Sequence, residues 1–163
     1  MNNSELETLI RNILREQLVP ATPRMQRNAI FQTVDEAVCA AHQAFLRFQQ
    51  CPLKTRSAII SAIREELMPR LTELAEESAS ETGMGNKEDK YLKNKAALNN
   101  TPGIEDLTTT ALTGDGGMVL FEYSPFGVIG SVTPSTNPTE TIINNSISML
   151  AAGNSVYFSP HPG

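Results

Sequence analysis

A short polar loop near the end of the chain has the residue types to bind a ligand. It follows an apolar, β-rich run and precedes Pro138, which opens a helical pattern. Its members are Thr133, Pro134, Ser135, Thr136 and Asn137. Open α/β sheets bind ligands in loops outside the carboxyl ends of their strands. The hydroxyls and the amide of this loop could donate hydrogen bonds to a phosphate or to a developing oxyanion.

The same residues also have a purely structural interpretation. Asn137 is a favoured cap for a helix N-terminus, and Pro138 is favoured at the first helical position. Glu140 then lies in the first turn, where a carboxylate interacts favourably with the helix dipole. On residue types alone, helix initiation is the stronger interpretation, and a chemical role stays open.

A second candidate segment leaves the next apolar run, residues 155–158, at the same end of the predicted sheet. It consists of Ser159, Pro160, His161 and Pro162. The Ser159 hydroxyl and the His161 imidazole could reach a cofactor ribose or phosphate. The stretch is equally typical of an extended exit loop, because a residue before proline avoids the helical region. The residues leave both interpretations open.

Composition narrows the expected chemistry. The formal charge is −5, with 18 acidic against 13 basic residues and no basic run, which argues against a nucleic-acid or membrane surface. A small metabolite is the expected partner. Cys39 and Cys51 form no metal or disulfide pattern, so we expect no metal site and a reducing cytoplasm. We expect Cys39 to fill the core beside an apolar helix face, and neither cysteine to be a nucleophile.

The order of periodic segments predicts an α/β fold. The predicted helices include 35–50, 59–67, a helix from 71 that stops at Gly83 and Gly85, 88–99 and 138–152, and the predicted strands are 118–123, 128–132 and 155–158. The glycine-rich stretch 114–117 is predicted to be a turn. A strand, a helix and a strand in succession form a βαβ unit with parallel strands. Because one such unit leaves both sheet edges open, we expect the sheet to continue in residues beyond 163.

The first residues have a separate pattern, typical of an amphipathic helix from Ser4 to Leu18. One apolar stripe at helical spacing contains Leu6, Leu9, Ile10, Ile13 and Leu14. Residues 19–30 include Pro20 and Pro23 and can bury little, which predicts a linker. The stripe therefore needs a partner, which is either a groove on another protein or the rest of its own protein.

Five further segments, in this order, make the sequence recognisable. They are 81–85 (ETGMG), 112–117 (LTGDGG), 124–130 (SPFGVIG), 134–138 (PSTNP) and 142–145 (IINN). Together they resemble the CoA-acylating aldehyde dehydrogenases, in particular the propionaldehyde dehydrogenases of 1,2-propanediol-utilisation bacterial microcompartments. The resemblance covers nearly the whole chain. Ethanolamine-pathway acetaldehyde dehydrogenases are the nearest alternative, since these residues do not fix the aldehyde chain length.

The resemblance implies a fold, cofactors and site roles. The implied fold is α/β, with N-terminal helices before the start of a Rossmann-like nucleotide-binding domain of the aldehyde dehydrogenase fold, truncated at residue 163. The implied reaction oxidises propionaldehyde with NAD, through a cysteine thiohemiacetal, and releases propanoyl-CoA from coenzyme A. Asn137 matches the family's catalytic loop asparagine, whose amide helps hold the hemiacetal oxyanion. Residues 133–136 match the loop beside the nicotinamide, and residues 159–162 match the segment near the adenosine.

The resemblance also implies how the chain is divided. Residues 1–18 resemble targeting helices that dock on microcompartment shell proteins, 19–30 form the linker, and 31–163 form the incomplete N-terminal portion of the NAD-binding domain. The family's nucleophilic cysteine lies beyond residue 163, so we expect no dehydrogenase activity from the chain alone. The full-length enzyme is expected to be a homo-oligomer in the cytoplasm, within a microcompartment. A shell-docking module is the alternative function.

Overall fold

The computed structural model describes residues 29–162, and the fold below is that of the compact unit that begins at Val34. The predicted helix at 4–18 and all but the last two residues of the linker at 19–30 lie outside the described residues. The helices are α1 (Val34–Phe48), α2 (Leu53–Leu67), α3 (Leu71–Thr82), α4 (Lys87–Asn100) and α5 (Pro138–Ala151). The strands are β1 (Thr110–Gly114), β2 (Gly117–Phe121), β3 (Val128–Thr133) and β4 (Ser155–Pro160).

The first four helices lie where the sequence predicts helices, although α2 begins six residues earlier than expected, at Leu53. Pro69 lies in a 3₁₀ turn, Met68–Arg70, between α2 and α3, because its ring cannot continue an α-helix. Gly83 ends α3 in the left-handed region at φ 63°. Asn86 caps α4, since its side-chain oxygen accepts a hydrogen bond from the Asp89 N–H at 2.8 Å. The helical predictions are thus confirmed, with their ends shifted by a few residues.

The strands form two separate two-stranded sheets. β1 and β2 pair antiparallel around the predicted glycine-rich turn, while β3 and β4 pair parallel, with Thr133 opposite Pro160 at their carboxyl ends. Because α5 connects β3 to β4 and packs on both, the predicted βαβ unit is confirmed. Strand β1 was not predicted, and its partner β2 does not pair with β3.

The hydrophobic core lies between α5 and the preceding helices. Its buried members are Ile60 of α2, Leu71 of α3, Leu98 of α4, and Ile143, Ile147 and Ala151 of α5. The three α5 residues are four apart, so they form one face of the helix. Burying each large aliphatic side chain contributes about 1.5–3 kcal/mol. The core therefore holds the start of α5, and the loop before it, against the helices.

Two burial expectations were wrong. Cys39 is exposed, because α1 buries Ala41 instead, whose carbonyl accepts a hydrogen bond from the Ser155 hydroxyl at 2.8 Å. The helical spacing in 138–152 also predicts that Ile142 faces inward with Ile143 and Ile147, but Ile142 is 39% exposed, because the buried face of α5 is centred on Ile143. Both errors come from apolar neighbours on a helix that cannot all face one core.

Candidate functional site

The two candidate segments lie side by side at the carboxyl end of the parallel pair. Thr133 ends β3, and its carbonyl accepts a hydrogen bond from the His161 N–H at 3.0 Å. The loop 134–137 then leads into α5. Ser159 and Pro160, expected in an exit loop, are the last residues of β4, and residues 159–162 are all exposed. This edge is where open α/β sheets bind ligands. The expectation that both segments share one end of the sheet is confirmed.

Asn137 precedes α5 but does not cap it with its side chain. Its backbone has φ −138° and ψ 60°, and its side chain accepts no hydrogen bond from the first turn. The carboxamide Oδ1 instead accepts a hydrogen bond from the Lys93 Nζ of α4 at 3.3 Å. Among residues 29–162, nothing accepts a hydrogen bond from the Asn137 Nδ2. The capping interpretation is therefore wrong for this side chain, and its amide donor is available for chemistry.

Three polar side chains of α4 contact the loop 134–137 or the first turn of α5. The Lys90 side chain is 3% exposed, and its Nζ donates a hydrogen bond to the Thr136 carbonyl at 3.2 Å. Asn94, fully buried one turn later, accepts a hydrogen bond from the Thr139 hydroxyl at 2.7 Å. Together with Lys93 these contacts fix the loop on both sides of Asn137. A lysine is rarely buried unless its charged group has a partner. The hydrogen bond from the Lys90 ammonium group to the Thr136 carbonyl therefore holds this part of the loop backbone in place.

Sequence reasoning missed these supporting residues. Lys90, Lys93 and Asn94 lie three and four positions apart, the spacing that places side chains on one helix face. That face continues to the buried Leu98. The available signal was that polar residues share this face of α4 with an apolar one. The sequence does not show which loop their side chains would contact.

Among the described residues, three buried side-chain atoms beside this edge have no hydrogen-bond partner: the Thr133 Oγ1, the Asn94 Nδ2 and the Glu140 Oε1. Elsewhere in residues 29–162 the same holds for the Arg56 Nε, the Arg64 Nε and the Ser78 Oγ. Each such group costs about 1–3 kcal/mol when left unsatisfied. The edge therefore has polar groups that no contact within the described part of the chain uses.

The polar side chains of this edge are of types that can contact a dinucleotide. Thr136, Ser159 and His161 are exposed and carry groups that hydrogen-bond to ribose and phosphate oxygens. Thr133 is 1% exposed and is the least accessible of the loop residues predicted beside a cofactor. Residues 133–137 contain no glycine, and Pro138 at the start of α5 has no N–H, so this loop differs from the glycine-rich Rossmann turn that binds a pyrophosphate through its backbone. Contact with a cofactor here would come from side chains.

The described part of the chain has neither a membrane-spanning helix nor a metal-ligand cluster. Within residues 29–162, no helix is long and apolar enough to cross a membrane. The same part of the chain contains no group of three or more His, Cys, Asp or Glu residues placed to hold a metal ion. The strand-end edge is thus the site with the clearest chemistry in the part that the structure describes.

A family model and several sequence relatives match this chain over most of its length. The model of the aldehyde dehydrogenase family matches residues 21–163. A CoA-propanoylating propanal dehydrogenase of Citrobacter freundii is 83% identical over the whole chain, which covers 35% of that relative. The chain therefore spans about a third of the length of such a relative.

Solved structures agree with the sequence relative. Propionaldehyde dehydrogenase of Rhodopseudomonas palustris, with bound CoA and an acylated cysteine, matches with a TM-score of 0.79 at 53% identity, over 82% of this chain and 31% of that one. An engineered glycolyl-CoA reductase with bound NADP+ gives 0.77 at 53% identity, over 81% and 30%. A propionaldehyde dehydrogenase from the Clostridium phytofermentans fucose utilisation microcompartment gives 0.78 at 48% identity, over 82% and 31%.

These matches cover the helices, the parallel pair and the Asn137 loop together, and not one motif alone. The predicted α/β fold class is confirmed. Of these structures, the Rhodopseudomonas palustris enzyme holds CoA and the engineered glycolyl-CoA reductase holds NADP+. The chain belongs to the aldehyde dehydrogenase family.

Proposed function

We propose that this chain is the N-terminal part of a CoA-acylating propionaldehyde dehydrogenase. The complete enzyme converts propionaldehyde, coenzyme A and NAD to propanoyl-CoA and NADH in 1,2-propanediol degradation. The observation that carries the proposal is the Asn137 amide, which is unused in helix capping and lies at the ligand-binding end of the parallel pair. The 83% identity to a propanal enzyme supports propionaldehyde over the ethanolamine-type substrate acetaldehyde.

The proposed role of Asn137 is electrostatic. When a thiol adds to an aldehyde carbonyl, negative charge develops on the oxygen, and a fixed N–H donor stabilises it. NAD supplies the hydride acceptor and coenzyme A supplies the thiol that takes the acyl group. We assign residues 133–136 to the nicotinamide side and residues 159–162 to the adenosine side. We assign the nucleophilic thiol to neither Cys39 nor Cys51, because the resemblance to CoA-acylating aldehyde dehydrogenases implies a cysteine outside residues 1–163.

The test uses a hybrid enzyme in which residues 1–163 are this sequence and the remainder is that of the Citrobacter freundii relative. In it, Asn137→Ala removes the donor and should lower kcat by about 100- to 1,000-fold, as removal of an oxyanion donor does in another enzyme class. Asn99→Ala, at an exposed position of α4, is the matched control. If the two variants reduced NAD equally fast, the proposed role of Asn137 would be wrong.

The chain alone should give no NADH from propionaldehyde, coenzyme A and NAD. It lacks the thiol that the reaction requires, so no covalent intermediate can form. NADH absorbance, followed with purified protein of this sequence, measures the outcome. Turnover by the chain alone would contradict the assignment of the nucleophile.

We also propose that residues 1–18 target the enzyme to a microcompartment by docking on a shell protein. The support is the apolar stripe in the sequence, which suits a helix-in-groove contact. Fusion of residues 1–18 to an unrelated protein should make it co-purify with shells, and Ile10→Asp should abolish this. Asn12→Asp, on the polar side of the predicted helix, is the control and should leave it intact. A wild-type fusion that never co-purified would leave packing on its own enzyme as the role of the stripe.

A further inference from the structure

Lys93 determines which atom of the Asn137 carboxamide faces α4. Its Nζ lies 3.3 Å from the Asn137 Oδ1. An ammonium group has three donors and no acceptor, so the amide atom that faces it must be the carbonyl oxygen. The Nδ2 of Asn137 is therefore turned away from α4. A rotation of the carboxamide by half a turn would bring two donors together and lose the hydrogen bond.

The backbone around this carboxamide is already fixed by other contacts. The Lys90 Nζ holds the Thr136 carbonyl at 3.2 Å. The Asn137 carbonyl accepts hydrogen bonds from the Thr141 hydroxyl at 2.6 Å and from the Thr141 N–H at 3.3 Å. The freedom that remains is rotation of the Asn137 side chain itself. Among the described residues, the hydrogen bond from Lys93 is the one that the Asn137 side chain makes, and it restricts this rotation.

We propose that Lys93 is a positioning residue, which orients the Asn137 amide so that its N–H donor faces the reacting oxygen before the substrate arrives. This inference rests on the proposed oxyanion role of Asn137. Fixed donors stabilise a transition state because they need no reorganisation during the reaction. Without Lys93, the carboxamide samples both orientations, and the donor is in place for only part of the time. The loss should fall on kcat, since the aldehyde is bound by other residues.

The test is made in the hybrid enzyme with Lys93→Met, which keeps the length of the side chain and removes its donors. We expect kcat to fall roughly tenfold, less than on removal of Asn137 itself, with KM for propionaldehyde unchanged. Lys93→Arg keeps the donors and should retain most of the activity. Lys95→Met is the matched control, since Lys95 lies on the same helix with its Nζ over the Tyr91 ring at 5.9 Å. It should leave kcat unchanged.

The double variant separates positioning from a general structural role. If Lys93 acts through Asn137, Lys93→Met should cause no further loss in the Asn137→Ala background. An equal loss in both backgrounds, or a lowered unfolding temperature that accounts for the loss, would overturn the proposal. So would an unchanged kcat in Lys93→Met while Asn137→Ala is impaired. An Asn137→Ala enzyme with full activity would instead overturn the proposed function, and the positioning role with it.

Discussion

The β3–β4 parallel pair and the β1–β2 hairpin differ in which side chains they bury. The parallel pair buries polar side chains, whereas the hairpin exposes apolar ones. The parallel pair buries polar residues such as Ser131, Thr133 and Ser155, because α1 and α5 pack against it. The hairpin contains Met118 and Leu120, yet every residue of both its strands is exposed. Burial in this chain therefore follows the helical layer and not the apolarity of a strand. Exposed apolar strands of this kind usually mark a surface that another segment or molecule covers.

The largest expected contrast is in stability. Ile147→Ala removes a fully buried side chain from the core, and should lower the free energy of unfolding by about 2–5 kcal/mol. Leu120→Ala, at a position that is 56% exposed in the hairpin, should change it by no more than about 0.5 kcal/mol. Urea denaturation of the chain measures both, provided that unfolding is cooperative. Equal effects would mean that the hairpin is packed as firmly as the core.

A smaller contrast is expected between two hydrogen bonds. Asn94→Ala removes the shorter of the two acceptors of the Thr139 hydroxyl, at 2.7 Å, and leaves the Glu140 carboxylate at 3.2 Å, so it should cost about 1–3 kcal/mol. Thr109→Val removes the exposed hydrogen bond between the Thr109 hydroxyl and the Glu122 carboxylate, 3.1 Å long, beside the hairpin. That loss should be at most about 1 kcal/mol, since water replaces the partner. A larger loss of stability for Thr109→Val than for Asn94→Ala would contradict the expected difference between the hairpin and the candidate site.

The βαβ unit could be predicted from the sequence because its signals are local. Apolar runs, the Asn137-Pro138 helix start and the turn at Gly153 each restrict the backbone near them. The supporting contacts could not, because Lys90 meets Thr136, 46 positions away, only after α4 packs on α5. For the same reason, no periodicity indicated that Lys93 would fix the Asn137 carboxamide. Strand β1 escaped prediction because its exposed Thr110-Ala111-Leu112-Thr113 stretch lacks an apolar face.

The smallest effect concerns the segment between α4 and β1, which joins the helices to the hairpin. The Gly103 N–H donates a hydrogen bond to the Glu105 Oε1 at 2.7 Å. This bond, then the N–H of Glu105 itself and a smaller attraction from Arg64, lower the pKa of Glu105 below its ordinary value. A lowered pKa in the folded state means that the ionised carboxylate stabilises the fold above the unfolded pKa of about 4.3. That contribution is lost as the pH falls through the folded pKa.

Glu105→Gln keeps an oxygen that can accept from Gly103 but removes the charge, so it isolates this electrostatic contribution. The difference in unfolding free energy between the unmodified chain and the variant should be largest near neutral pH and should shrink as the pH falls below about 4.3. Urea denaturation at a series of pH values measures it. A difference that stayed constant into acid would show that the side chain acts through packing alone. The segment between α4 and β1 would then join the hairpin to the helices through packing. The difference in stability between the hairpin and the helical core would not depend on the charge of Glu105.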